Sequence, residues 1–436
     1  MEDRSIAAFR FIHTADIHLD SPLKSLALRD PDLADLIGSA TRAAFSAIID
    51  LCLDEQVDAL IIAGDLYDGA QTSMKTARFL AGELDRLSSA GIPAFIIRGN
   101  HDAMSKVTKE LVLPGSVKLF GARAETHLIE RGAGAKPVAM HGLSFANPTA
   151  PESLVPRYKP AIADAINIGI LHTSLGGAPG HDAYAPCSPA DLEALGYDYW
   201  ALGHIHSRQV ITGRSTIVMP GMPQGRDINE AGPKSVSLVS ITDTGEVSVE
   251  ERPTALAEFA RVTVDASGLE EWRDLAESLT TVLKQAHQAA TARELVVRLT
   301  ITGATELAWR MRRDADVLLT EARERGARIG SVWIEKIEID CDRQKLVVSD
   351  TANIAPLQEI RRLIDDDILG SDAFQTRLSA IAGNLLAQLP NDETLRNRFG
   401  TDETDARARL AKLAREGVDD VLSRFHAGPG AQDETR

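Results

Sequence analysis

Asp58-Ala59-Leu60-Ile61-Ile62-Ala63-Gly64-Asp65-Leu66-Tyr67-Asp68 is the stretch on which the reading of this chain turns. Ala59 to Ala63 is an unbroken apolar run, the pattern of a strand buried on both faces. Gly64 lets the backbone turn sharply where the strand ends. Asp65 is then a carboxylate at the carboxyl end of a buried strand, where open α/β sheets place their ligands. A single Gly-Asp pair carries little information, but four other stretches repeat the arrangement.

Phe9 to Thr14 reads as a strand that delivers Asp16-Ile17-His18. Residues two apart in an extended segment point to the same side, and Asp and His are both good ligands for a divalent transition metal. Thr41 to Glu55 reads as a helix with Phe45, Ile48, Ile49 and Cys52 on one face, and a second helix spans roughly Ser73 to Ser89. Pro93 to Arg98 is another buried strand and ends in Gly99-Asn100-His101-Asp102. This β-α-β-α-β order predicts a parallel sheet with right-handed crossovers. Farther on, Ile166 to Leu171 delivers His172, and Tyr199 to Leu202 delivers Gly203-His204-Ile205-His206. His127 follows no buried strand and reads as a surface or core residue, whereas His141, after Val138-Ala139-Met140, is ambiguous between a ligand and a packing residue. His181, in a Gly-rich loop, reads equally well as a substrate contact or a solvated residue.

The chain has 436 residues, enough for two or three domains. Its N-terminus leads into no long apolar run, and no stretch approaches the ~20 residues of a membrane helix. Cys52, Cys187 and Cys341 lie far apart, which argues against a zinc ribbon or a disulfide framework. Cytoplasmic location and no membrane contact are the expectation. Net charge is −16, from 47 basic and 63 acidic residues, which speaks against a broad basic surface for nucleic acid but not against a nuclease with a narrow groove.

Three parts are expected: a first domain over 1–255, a small α/β module over 256–348, and a helical region over 349–436. Of the eleven histidines only His287 and His426 lie beyond the first part, so metal chemistry is confined to it.

Asp16, His18, Asp65, Asn100, His172, His204 and His206 make seven candidate ligands at five strand ends. One ion takes about four ligands. Seven therefore suit two ions that share a carboxylate, and Asp65 is the natural bridge. Two ions held ~3.5–4 Å apart can clamp the attacking and leaving oxygens of a displacement at phosphorus. The mixture of imidazole, carboxylate and amide suits Mn(II), Fe(II) or Zn(II) better than Mg(II) or Ca(II).

DxH, GDxxD, GNHD, a lone strand-end His and GHxH, in this order, resemble the calcineurin-like metallophosphoesterase superfamily. His13-Thr14-Ala15-Asp16-Ile17-His18-Leu19-Asp20 and Pro220-Gly221-Met222-Pro223-Gln224-Gly225-Arg226 resemble its DNA repair exonuclease branch, the SbcD-like nucleases and especially the YhaO-like subgroup. The resemblance implies an α/β fold: a β-sandwich flanked by helices, then a small α/β capping module and a helical tail. It implies that Asp16, His18 and His206 hold one metal, that Asn100, His172 and His204 hold the other, and that Asp65 bridges.

By the same resemblance His101 is the general acid or a phosphate contact, oriented by Asp68; Asp102 is the competing orienter, or only a helix-cap residue. Arg98, Lys24 and Arg226 are candidates to touch the phosphate backbone, Arg226 first among them. The activity implied is two-metal hydrolysis of DNA phosphodiesters by a metal-activated hydroxide, with Mn(II) the first choice and Fe or Zn as alternatives. The partners implied are DNA, an SMC-like ATPase subunit that the helical region would dock onto unless its apolar stripes pack on the chain's own capping module, and a second copy in a homodimer. A phosphoesterase of small phosphorylated or cyclic nucleotides is the competing reading, and a non-catalytic scaffold is a third.

Overall fold

Two six-stranded sheets lie face to face, and their apolar inner faces make one core. The computed structural model describes residues 8–21, 30–67, 73–102, 113–132, 134–176, 184–342, 355–388 and 403–425. The first sheet draws on β1 (Phe9–Thr14), β2 (Ala59–Ala63), β3 (Ala94–Ile97) and β4 (Val117–Leu119). The second draws on β5 (Glu125–Ile129), β6 (Val138–Gly142), β7 (Ile166–His172), β8 (Tyr199–Gly203), β9 (Gln209–Thr212) and β10 (Thr216–Met219). The hairpin of β11 (Ser235–Ile241) and β12 (Val247–Pro253) returns to the first sheet.

Strand order is β12-β11-β1-β2-β3-β4 in one sheet and β5-β6-β7-β8-β10-β9 in the other. β1 to β4 run parallel, as the β-α-β-α-β pattern predicts. Alternate side chains sort the core. Phe11, Ile61 and Ile97 point inward to meet Met140, Ile168, Ile170 and Ala201 of the second sheet. Ile12, Leu60, Ile62 and Ile96 point outward onto the helices α1 (Pro31–Asp54) and α2 (Met74–Ser89). β2 is thus covered on both faces, which is why its sequence is continuously apolar.

α1 is longer than the periodicity of 41–55 predicts. It starts at Pro31, whose missing N–H costs nothing at a first helical position, and Asp30 caps it by accepting from the backbone N–H of Leu33. α1 is 24 residues long and holds an 18-residue window of mean hydropathy 1.5, so by length and composition it could cross a membrane, contrary to the expectation that no stretch approaches such a span. Its apolar side, including Leu33, Ile37, Phe45, Ile48, Ile49 and Cys52, is buried in the protein core.

The outer face of the second sheet is covered by Leu154, Val155 and Tyr158 and, after α3 (Pro189–Glu193), by Tyr197. The segment 148–160, whose four prolines read in the sequence as a surface excursion, is therefore partly a core layer.

The chain divides into two compact units, one of residues 1–261, 285–298 and 331–335 and the other of residues 262–284, 299–330 and 336–436. β13 (Ala257–Asp265), β14 (Glu294–Ala304) and β15 (Val332–Asp342) form a three-stranded sheet with β14 in the middle. α4 (Trp272–Ala289), α5 (Ala308–Arg313) and α6 (Ala315–Ile329) complete the α/β pattern read from the sequence. The later residues are helical in α7 (Ala355–Leu363), α8 (Asp372–Gln388) and α9 (Glu403–Phe425), and α9 packs on α5. Ile360, Leu363, Ile381, Leu413 and Val421 of these helices are exposed.

Candidate metal centre

The seven candidate ligands meet at the carboxyl ends of β1, β2, β3, β7 and β8. Ligand atoms of Asp16, His18 and His206 lie within 4.8 Å of one another, and so do those of Asp65, His172 and His204. Asn100 joins the second group, its Oδ1 3.0 Å from His172 Nε2. Asp16, His18, Asp65 and His172 are all buried.

The backbone is bent to bring them there. Asp16, His18, Asp65 and His204 all have positive φ (52°, 47°, 51° and 104°), a region that costs an ordinary residue energy. The loops carrying Asp16 and Asp65 are laced together by the Asp16 N–H on Gly64 O (3.0 Å) and the His18 N–H on Asp65 O (3.1 Å). The His204 N–H donates to both oxygens of the Asp16 carboxylate, at 3.1 and 2.9 Å.

Small residues let the pieces close. A Cβ on Gly99 would lie 2.2 Å from Asp65 Oδ1, and one on Gly203 would lie 2.2 Å from the carbonyl oxygen of Ala63. The glycines of the GN and GH motifs are thus needed for space, not only for turning.

Hydrogen bonding then selects which ring nitrogens face the centre. The Nδ1–H of His172 donates to Ala63 O at 2.9 Å, so the bare Nε2 is turned toward Asn100 Oδ1 and, at 3.3 Å, Asp65 Oδ2. Lone pair faces lone pair, and a positive charge has to sit among them. Burial by itself opposes charge on His172, but the Asp65 carboxylate beside it pushes the imidazole up to about 9.

His206 repeats the arrangement: Glu230 Oε1 accepts its Nδ1–H at 3.0 Å, and its Nε2 lies 3.3 Å from His18 Nε2. Atoms bound ~2.0–2.2 Å from one tetrahedral ion lie about 3.4 Å apart, so these spacings fit metal coordination.

His101 is exposed, its ring edge-on to His18 with centroids 5.0 Å apart, and its backbone N–H donates to Asp65 Oδ1 at 3.0 Å. Asp68, Lys24 and His181 lie outside the described residues. Arg98, at the exit of β3, is half-buried. Arg226 turns its guanidinium to Glu230, with Nη2 2.6 Å from Oε1.

His141, which the sequence leaves ambiguous, is a packing residue: its Nε2–H donates to Asn167 Oδ1, its Nδ1 accepts from Thr126, and its ring stacks on Tyr197. Asp102 caps no described helix. Its carboxylate accepts the backbone N–H groups of Leu66 (3.1 Å), Tyr67 (2.9 Å) and Gly99 (3.2 Å), tying the exit loops of β2 and β3 together.

Residues 9–208 match the family model for calcineurin-like phosphoesterases, which spans all seven ligand positions. The chain carries a calcineurin-like phosphoesterase domain. Residues 259–342 match the middle domain of metallophosphoesterase YhaO. The chain is 36% identical to the uncharacterised metallophosphoesterase YhaO of Bacillus subtilis, over 55% of this chain and 59% of that protein. It is 29% identical to the DNA double-strand break repair protein Mre11 of Sulfurisphaera tokodaii, over 49% of this chain and 54% of that protein. It is 25% identical to a component of the SbcCD nuclease of B. subtilis, over 56% of this chain and 68% of that protein. The match thus spans little more than half the length of the first two relatives.

Two residues beside the candidate ligands carry contacts that the sequence pattern does not foretell. Asp20, at the end of the first motif, accepts from Arg42 Nε at 2.7 Å and from the hydroxyl of Thr76, and so joins the first metal loop to α1 and α2. Glu230 stands in no motif. Its one sequence signal is position, four residues after Arg226 at the end of the Gly/Pro-rich loop.

Proposed function

We propose that the chain is a two-metal phosphodiesterase acting on DNA, with Asp16, His18 and His206 holding one ion, Asn100, His172 and His204 the other, and Asp65 bridging. What supports the reading is the convergence of bare imidazole nitrogens and carboxylate oxygens at one edge, with the outer nitrogens of His172 and His206 already engaged by protein. Ions bound there would polarise a phosphate, lower the pKa of water and neutralise charge that develops at phosphorus. Mn(II) is the first choice, with Fe or Zn as alternatives.

The chain's own residues do the rest. His101 stands at the open side of the centre and protonates the departing 3′ oxygen, a role worth about 10²–10⁴-fold in rate. Asp68 orients it. Arg226, anchored by Glu230, meets the phosphate backbone. Residues 1–255 form the nuclease domain, residues 256–348 cap it, and the exposed apolar positions of α7, α8 and α9 dock an SMC-like ATPase subunit. The DNA substrate is favoured by the Mre11 and SbcCD relatives. Cytoplasmic location and a homodimer complete the proposal.

The net charge of −16 favours a second reading, a phosphoesterase of small nucleotides. The test is the purified chain with Mn(II) on end-labelled single- and double-stranded DNA, beside bis-p-nitrophenyl phosphate and an Asp65→Asn control. DNA cleavage that the control lacks supports the nuclease. Hydrolysis of the small ester with DNA untouched moves the assignment to the second reading.

A further inference from the structure

His206 differs from His172 in what holds it. The side chain of His172 is fully buried and its ring is fixed by a main-chain carbonyl. That of His206 is 32% exposed and is fixed by a side chain, Glu230, through Oε1 at 3.0 Å from Nδ1.

Glu230 is itself clamped. It ends a short 3₁₀ turn, Ile228–Glu230, whose start is capped by the Asp227 side chain accepting the Asn229 N–H at 2.7 Å. Arg226 grips both carboxylate oxygens, Oε1 from Nη2 at 2.6 Å and Oε2 from Nε at 3.2 Å, and its backbone N–H adds a bond to Oε2 at 2.8 Å. Burial opposes ionisation of Glu230, yet the bonds from His206 and Arg226 hold its carboxyl well below the ordinary range.

We infer that Glu230, steadied by Arg226, is a positioning residue that sets His206 for the ion it shares with Asp16 and His18. The inference rests on the two-metal reading above. With Nδ1–H committed to Oε1, only Nε2 is presented, and the ring's rotation is set from outside the centre. A carboxylate acceptor also raises the basicity of the imidazole toward a cation. The outer nitrogen of His172 meets the carbonyl oxygen of Ala63 instead of a carboxylate, so a change at Glu230 acts on one ion and spares the other.

The test is calorimetric titration of the metal-stripped full chain with Mn(II), read beside electron paramagnetic resonance. The wild-type chain is expected to take up two ions and to show a spin-coupled pair. Glu230→Ala weakens one binding step by about 10–100-fold and leaves the other unchanged. At one equivalent or above it then shows the signal of an isolated Mn(II). Glu230→Gln, which keeps an oxygen to accept Nδ1–H and preserves the local shape, recovers most of the lost affinity. Arg226→Ala, which leaves Glu230 in place, loosens the same step by less.

Glu230→Ala binding both ions as the wild type does, or losing both in parallel, overturns the inference. So does Glu230→Gln binding no better than Glu230→Ala. Uptake of fewer than two ions by the wild-type chain instead defeats the two-metal reading, and the inference falls with it.

Discussion

The middles of the strands and their carboxyl ends treat histidine in opposite ways. His13, inside β1, has both ring nitrogens taken by protein: Nε2–H donates to Leu202 O at 3.0 Å and Nδ1 accepts from the Tyr199 hydroxyl at 2.9 Å. Burial lowers its pKa to about 3 and keeps it neutral. His141, inside β6, is likewise engaged at both nitrogens. At the strand ends, His172 and His206 each spend one nitrogen on an acceptor outside the centre and turn the other inward. Burial alone does not separate the two kinds, since His13 and His172 are both fully buried. What separates them is whether the second nitrogen has a protein donor or meets other lone pairs.

Asp65→Asn tests this contrast most severely. It removes a charge from the proposed bridge, and hydrolysis of a generic phosphodiester should fall to background, with at least one of two Mn(II) ions lost by elemental analysis. Gly99→Ala should have nearly the same effect without replacing a ligand, because its Cβ would press on Asp65 Oδ1. Retained metal and rate in Gly99→Ala would show that the loop yields and that the tight packing is incidental.

His101→Ala sharpens the contrast from within the site. Turnover should drop by about 10²–10⁴-fold while both ions stay bound. Loss of metal would make His101 a ligand and would refute its assignment as acid.

The smallest effects belong to the strand middles. His13→Leu and His141→Leu should each cost about 1–3 kcal/mol in denaturant unfolding, by leaving buried partners unsatisfied. Metal content should stay at the wild-type level. A lost ion in either variant would break the distinction between the two regions.

Much of this is legible from local pattern. β1 and β2 fall where the apolar runs place them, because a strand covered on both faces must be continuously apolar. Asp16, Asp65, Asn100, His172 and the histidine pair at 204 and 206 are marked by their places just after such strands. The start of α1 escapes the pattern because its first turns carry Asp32 and Asp35 and a proline, which blur the apolar period that a cap and a prolyl first residue in fact begin. The apolar stripe of α9 reads as one face, yet Leu422 is buried while Leu413 and Val421 are exposed, since periodicity marks a face without saying what covers it.

The sequence by itself determined which residues stand at strand ends, because alternation, apolar runs and glycine breaks are local properties of the chain. It also determined the donor types, the imidazole, carboxylate and amide groups of a candidate divalent-metal site. Only the tertiary structure decided which nitrogen of His172 and of His206 faces the centre, because that choice depends on acceptors distant in sequence: Ala63 for His172 and Glu230 for His206. It also decided that Asp102 holds backbone N–H groups and that Glu230 holds His206. A carboxylate's role is set by the donors that three-dimensional folding brings to it, and no spacing along the chain encodes those.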